Sequence, residues 1–529
     1  MFRSHSKRPL LTVLVVGLLA LAASTSVRAQ ASLESRVREH TLANGLKFLL
    51  VERHESPTVA MYLRFKAGGV DEWTGVSGTA HLLEHMLFKG TPTLGTRDWE
   101  KEKPLLAEME TVGSALDREV LQGEKADAAQ VTRLRKRMEE LQSEHKKLVI
   151  KDEIDEIYSK NGGVGFNAGT NKDTTTYELA LPSNRLELWA RIESERMLRP
   201  VLREFYSERD VVMEERRKSL ESRPGGVLFE AFTGAAFLAH NYRIPTIGWS
   251  SELQYLALED VEKFRRTYYA PNNTVGAIVG DFDLPKTIAL LEKYFGPIPS
   301  QKLPRPLTTV EPEQKGERRV KVEFDASVQL LIGFHKPTMP SHDDYVMDLA
   351  QAVLSNGRTS RFYRHLVEGK QLAVGVSAGN GTPGARYANL FIISGTPRHP
   401  HTVAELEAGI YEELDKLAKA PVSDRELQKV INNSEADLIR GMDSNDGLAS
   451  NLTYFEVVGG DWRYLVRYLE NIKKITPAEI QACAAKYLVA SNRTVAELLR
   501  PQAKPEPGAA AKTPATTDAK AGPSAGKEK

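Results

Sequence analysis

Two of the chain's 12 histidines stand four residues apart in the stretch TAHLLEHMLFKGT, with a glutamate directly before the second: His81-Leu82-Leu83-Glu84-His85. On an α-helix, positions i and i+4 share one face about one turn apart, so both imidazoles can reach a single ion. Glu84 lies beside His85 in sequence and one turn from His81, close enough to that face to take a proton from a water there. Leu82, Leu83, Met86, Leu87 and Phe88 make the helix apolar almost all round, which predicts burial, with Ser77 or Thr79 capping its start and Gly90 its end. Buried imidazoles need partners, and the choice lies between two satisfied core histidines and a metal site. The full H-x-x-E-H pattern, the inverse of H-E-x-x-H, favours the metal.

A catalytic zinc takes three protein ligands and keeps one position open. The third must come from elsewhere in the chain. The stretch FYSERDVVMEERRKSLES (205 to 222) reads as an acidic helix, and Glu204, Glu208 and Glu215 share one of its faces at spacings of four and seven. Spacing does not choose among these carboxylates.

The elements that must position these groups follow from length and pattern. At 529 residues the chain exceeds the roughly 250–300 that one hydrophobic core organises, so two domains are expected. An internal match supports a duplication: LEDVEKFRRTYYAPNNTV (258 to 275) resembles PAEIQACAAKYLVASNRTV (477 to 495). Val261 pairs with Ile480, Phe264 with Cys483, Tyr268 with Tyr487 and Asn273 with Asn492, all at one offset of 219. In both copies an apolar-periodic helix leads to a polar turn with Asn and then to a strand. Between the copies, the proline-interrupted stretch 297–316 reads as a linker. It separates a first domain over 34–296 from a homologous one over 317–500. Runs such as LKFLLVE, VAMYLRF, TVGAIVG and SVQLLIGF alternate with helical stretches, which gives each domain an α+β character. Within the first, residues 101–151 are strongly charged, with apolar residues at helical spacing: Leu105, Met109, Val112 and Leu116, then Val131, Leu134, Met138 and Leu141. Gly123 lies between the two runs, so a projecting helical hairpin is expected.

Lys and Arg total 71 against 70 for Asp and Glu, so no global field favours nucleic acid or an anionic membrane surface. Residues 1–29 read as a cleavable signal peptide: Arg3, Lys7 and Arg8, an apolar run from about Leu10 to Ala23, then Val27-Arg28-Ala29. The run is shorter than the roughly 20 residues a spanning helix needs. The expectation is an exported protein, periplasmic or secreted, with no stable membrane anchor once the leader is cut. Cys483 is the only cysteine, so no intrachain disulfide can form. From Pro501 the chain is Pro-, Ala-, Gly-, Lys- and Thr-rich and reads as a disordered tail over 501–529.

The combination of HLLEH, the downstream SERDVVMEE, the segment GFNAGTNKDTTTYELALP and YYAPNNTVGAIVGDF resembles the pitrilysin/insulinase family of zinc metallopeptidases, in its mitochondrial-processing-peptidase-like branch, over roughly residues 34 to 500. The resemblance implies two homologous α/β-sandwich domains forming half of a clamshell, one zinc per chain and hydrolysis of a peptide substrate. It implies His81 and His85 as zinc ligands, Glu84 as general base, Glu215 as third ligand and Glu208 as a carboxylate steering the site from behind the ligands. It places Asn167 and Ala168 in an edge strand to which an extended substrate adds through main-chain hydrogen bonds. The longer His85-to-Glu215 interval departs from the family pattern; the charged hairpin accounts for the excess and is expected to be peripheral.

A second departure bears on mechanism. Complete enzymes of the family carry an arginine and, seven residues later, a tyrosine in the second half. Here that register puts Val367 and Val374 at those positions, and valine can neither donate a hydrogen bond nor carry charge. Arg364 and Tyr363 lie nearby but three residues out of register, turned to another part of the helix. The resemblance therefore implies a homologous partner subunit that supplies the Arg/Tyr pair, or a homodimer that works without it. A non-catalytic peptidase-like scaffold is the competing reading, and the intact HLLEH with a placed third glutamate argues against it.

Overall fold

The computed structural model describes residues 33–501. The signal peptide expected over 1–29 and the expected tail, Pro501 apart, lie outside the described residues. Strands Arg38–Thr41 (β1), Lys47–Glu52 (β2), Thr58–Phe65 (β3), Val164–Thr170 (β4), Thr175–Pro182 (β5) and Thr274–Gly280 (β6) form a six-stranded sheet in the order β1-β2-β6-β3-β5-β4. Strands Arg318–Glu323 (β7), Gln329–Lys336 (β8), Ala373–Thr382 (β9), Asn389–Pro397 (β10) and Arg493–Leu499 (β11) form a five-stranded sheet in the order β7-β11-β8-β10-β9. Pairings are antiparallel except β2 with β6 and β7 with β11. The second order repeats the first without β1, so the fold is α+β and internally duplicated.

The helices used below are Thr79–Met86 (α1), Trp99–Val120 (α2), Ala128–His145 (α3), Glu153–Lys160 (α4), Leu186–Leu198 (α5), Phe205–Arg216 (α6), Pro224–Ala236 (α7), Leu258–Tyr268 (α8), Leu284–Phe295 (α9), His342–Ser355 (α10), Val403–Lys419 (α11), Asn445–Val457 (α12), Tyr464–Ile472 (α13) and Pro477–Tyr487 (α14). The matched pair seen in the sequence is α8 and α14, each followed by a single 3-10 turn and a strand. The two asparagines do the same work. Asn273 Nδ2 donates to the Tyr268 carbonyl at 2.8 Å, and Asn492 Nδ2 donates to the Tyr487 carbonyl at 2.8 Å.

β3 shows why the first sheet sits at the centre. Its residues alternate between two apolar layers, as a strand buried on both faces requires. Val59, Met61, Leu63 and Phe65 join the core beneath α1, α5, α8 and α9, while Ala60 and Tyr62 join a second core on the opposite face. That opposite face is covered by Leu448, Ala449 and Leu452 of α12 and Leu465 and Val466 of α13, which belong to the later half of the chain. The exchange is reciprocal, because α7 from the earlier half lays Leu228, Phe232 and Ala236 on Ala496 and Leu498 of β11 in the second sheet. No helix among the described residues is long and apolar enough to cross a membrane.

The expected helical hairpin is α2 and α3, joined through Gly123. Asp98 and Asp127 cap its two helices by accepting backbone N–H groups at their starts. Of the apolar residues expected to line it, Leu105, Met109, Val112, Met138 and Leu141 make one small core at its base, shared with Tyr206 of α6. Leu116, Val131 and Leu134, nearer the tip, are only half-buried.

The hairpin is not peripheral, contrary to the expectation from sequence. It is bolted to α6. Arg209 donates to both oxygens of Asp117 at 2.7 and 3.0 Å, and Tyr206 donates to Glu110 Oε2 at 3.0 Å. Gly113 meets the Tyr206 ring so closely that a Cβ there would come within 2.0 Å of it, so only glycine permits the approach. At the base, fully buried Arg203 joins hairpin and site: Nε donates to Glu102 Oε1 of α2 at 2.7 Å, and Nη1 and Nη2 donate to the carbonyls of Lys89, Leu94 and Thr91.

Candidate metal centre

His81 and His85 lie on α1, with ring centroids 4.8 Å apart. The helix is shorter than its apolar run, because Leu87–Lys89 tightens into a 3-10 turn that Gly90 ends at φ +99. Its start differs from the expectation. Ser77 Oγ accepts from Trp249 N–H and Thr79 Oγ1 donates to the Val76 carbonyl, so neither side chain caps the helix. The cap is the buried carboxylate of Glu72: Oε2 accepts Gly78 N–H at 2.9 Å and Oε1 accepts Ala80 N–H at 2.7 Å. Gly78 enters at φ +88, where a Cβ would meet the Ile247 carbonyl oxygen at 2.6 Å.

α6 brings up the carboxylates. Glu204 precedes the helix at φ +57 and reaches Lys89 at 3.5 Å. Glu208 is buried between His85, whose Nδ1 lies 2.9 Å from Oε1, and Lys89, whose Nζ lies 2.5 Å from Oε2. Glu215 sits in the last turn, with Oε1 3.8 Å from His81 Nε2 and Oε2 3.5 Å from His85 Nε2. Among the described residues, His81, His85 and Glu215 are the group of His, Cys, Asp and Glu donors close enough to hold one ion, their ligand atoms all lying within 4.8 Å of one another.

The donor set fits zinc. Ligands about 2.0–2.2 Å from a tetrahedral ion stand roughly 3.3–3.6 Å apart, near the two separations seen here, and two imidazoles with one carboxylate leave a position open. Burial pushes the His81 imidazole down to about 4, so it is neutral near pH 7 with a lone pair to offer. Burial alone would lower His85 as well, but the bond to Glu208 overrides it and holds the imidazole above its usual value. Burial alone would raise Glu208; hydrogen bonds from His85 and Lys89 hold it down to about 2. Glu208 therefore stays ionised and keeps the His85 Nδ1 side occupied, which directs Nε2 toward Glu215. Replacing Glu208 with glutamine is expected to weaken zinc binding about 10–100-fold, measured by competition with a chromophoric chelator.

Glu84 is buried beside this group, and burial pushes its carboxyl up. Its Oε2 accepts the Thr170 hydroxyl at 2.7 Å from the end of β4. β4 is the outer strand of its sheet, with Asn167 exposed and Ala168 half-buried, and Phe166 meets Phe88 beyond α1 with ring centroids 5.2 Å apart. In the second half, Val367 is packed against the second core and Val374 lies on the outer strand β9 with 63% of its surface exposed. Arg364 is exposed and Tyr363 half-buried. Glu72 and Arg203 stand outside every motif, and Lys89 and Thr170 lie within the quoted stretches at positions to which spacing assigns no role.

Fold and cluster together define a duplicated α+β half-clamshell with a metal-capable donor set on its first half. Residues 47–118 match the family model described as Insulinase (Peptidase family M16), and residues 255–434 match the one described as Peptidase M16 inactive domain. The zinc protease PqqE of Helicobacter pylori is 27% identical over 457 residues, which span 84% of this chain and 89% of that protein. The mitochondrial-processing peptidase subunit beta of Lentinula edodes is 20% identical over 468 residues, spanning 85% of this chain and 86% of that protein. The crystal structure of a protease from Helicobacter pylori superposes with a TM-score of 0.72 at 25% identity, across 88% of this chain and 99% of the other. The chain belongs to the pitrilysin/insulinase family of peptidases.

Proposed function

We propose that this chain is the metal-bearing subunit of a zinc-dependent endopeptidase that cuts peptides or unfolded polypeptides inside a closed chamber, with a homologous second chain completing the site. The observation that carries the proposal is the convergence of His81, His85 and Glu215 on one point with Glu84 alongside. When bound, zinc polarises a peptide carbonyl and makes water acidic enough to react near neutral pH.

The rest is work for the chain's own groups. Glu84 takes the proton of the attacking water and returns it to the leaving amine, while the Thr170 hydroxyl holds the carboxyl by Oε2. The open edge of β4, with Asn167 and Ala168, offers main-chain groups to an extended peptide, which recognises shape more than sequence. Val367 and Val374 can stabilise no developing charge, so the Arg/Tyr pair comes from the facing chain. On this reading the two homologous domains span 34–296 and 317–500, and the leader directs the protein to the periplasm or beyond.

The test is zinc content of the purified mature chain, beside cleavage of an unstructured quenched-fluorescent peptide with and without chelator, before and after mixing with a homologous partner. The expected result is about one zinc per chain and chelator-sensitive cleavage that rises sharply on mixing. A chain without zinc would reduce the protein to a scaffold, and full activity from the chain alone would remove the division of labour.

A further inference from the structure

We infer that Arg386, contributed by the second half of the chain, is a positioning residue for the histidine helix: it clamps the approach to α1 against the turn that follows β4. The inference takes the meaning of that helix from the peptidase reading above.

Arg386 sits in the loop between β9 and β10 with its side chain 9% exposed. Nη2 and Nη1 donate to the two oxygens of Asp71 at 2.8 and 3.0 Å, the two-pronged geometry arginine makes with a carboxylate. Nη1 also donates to the Asp173 carbonyl at 2.9 Å. The Asp173 carboxylate holds the loop in return. Its Oδ2 accepts the N–H groups of Ala385 and Arg386 at 2.6 and 3.2 Å, and its Oδ1 accepts the Tyr242 hydroxyl at 2.6 Å.

Both aspartates stand one step from the site. Asp71 adjoins Glu72, the cap of α1, and Asp173 follows shortly after Thr170, the partner of Glu84. Backbone bonds from Gly69 to Asn171 (3.1 Å) and from Val70 to Lys172 (2.8 Å) run the two segments side by side. Arg386 brings positive charge to the place where two buried carboxylates meet. Without it, the buried charge is uncompensated, which favours protonation of an aspartate or movement of residues 68–72 away from 171–173. That movement draws Glu72 off Gly78 and Ala80, and Thr170 off Glu84. The half matched to a model described as inactive thereby helps to hold the histidine helix in place.

The test is the R386M variant of the full chain, with R386K as its conservative counterpart, read by amide hydrogen exchange in the metal-free protein and then by zinc affinity. The expected result is exchange at least tenfold faster over residues 78–85, with β8, β10 and β11 still protected as in the wild type. Zinc affinity falls about 10–100-fold, and R386K recovers part of both effects. Wild-type exchange over 78–85 in folded R386M would overturn the inference. So would protection lost evenly through both halves, which a plain tie between them predicts. If R386M does not fold, R386Q, which keeps a polar head group without the charge, is held to the same expectations. Because exchange is read without metal, a wild-type chain that takes up no zinc sinks the peptidase reading and leaves this test standing.

Discussion

Replacing Glu84 with glutamine is expected to lower kcat/KM by about 10²–10⁴-fold while the metal stays bound. Glutamine keeps the length and shape of the side chain, and its amide oxygen still accepts from Thr170. What it loses is the basic oxygen that receives the proton of the attacking water. The ligand atoms belong to His81, His85 and Glu215, so metal content and affinity should match the wild type. Single-turnover cleavage beside zinc analysis of the same preparation separates chemistry from binding. A fully active E84Q protein would remove Glu84 from the reaction, and an inactive one without zinc would recast it as a support for the ligands.

The second large effect is on stability. Glu102 is fully buried at the base of the hairpin, where its Oε1 accepts from Arg203 Nε at 2.7 Å and contacts His145 Nε2 at 2.8 Å. Burial alone would raise its carboxyl; the bonds from His145 and Arg203 overcome that and hold it below the ordinary range. Glu102→Gln keeps the shape but leaves the buried Arg203 guanidinium without its counter-charge, a change that costs about 3–5 kcal/mol. Denaturant unfolding monitored by far-UV circular dichroism reads it directly. The pH dependence has a definite sign. A carboxyl depressed in the folded state contributes stability above its unfolded pKa of about 4.3 and loses it as the pH falls toward the folded value. The gap between wild type and E102Q should therefore narrow in acid. A loss under about 1 kcal/mol at neutral pH would mean that the pair is worth no more than an exposed one.

The sequence disclosed what depends on local repetition. The i, i+4 histidines, the two runs of the hairpin and the paired helix-turn-strand units all leave periodic traces, and each is found as one element in the fold. Choosing Glu215 as third ligand needed the family resemblance, because Glu204, Glu208 and Glu215 share a spacing that fits all three; the fold separates them by what each meets. The supports of the site were not legible. Thr170 meets Glu84 across 86 positions and Arg203 meets Glu102 across 101. The cap of α1 comes from Glu72, six positions ahead of the first amide it holds, beyond the reach of any capping motif. Such contacts are made only when the chain has come together. For the same reason the hairpin looked dispensable: charge and periodicity describe its surface, while its importance lies in Glu102, Glu110 and Asp117, three side chains along α2 that hold Arg203 and α6.

The crossing of α12 and α13 onto the first sheet sets an order in time. A ribosome releases the strands of that sheet by Gly280, yet the helices that shield Val51, Ala60, Tyr62 and Val279 end only at Ile472, about 190 positions later. At roughly 5–20 residues per second, that interval is about 10–40 s. Through it the nascent first half exposes an apolar face that nothing yet made can cover. The core beneath α1 has all its members by Ile298, whereas the second core, on the opposite face of the same sheet, waits for α12 and α13.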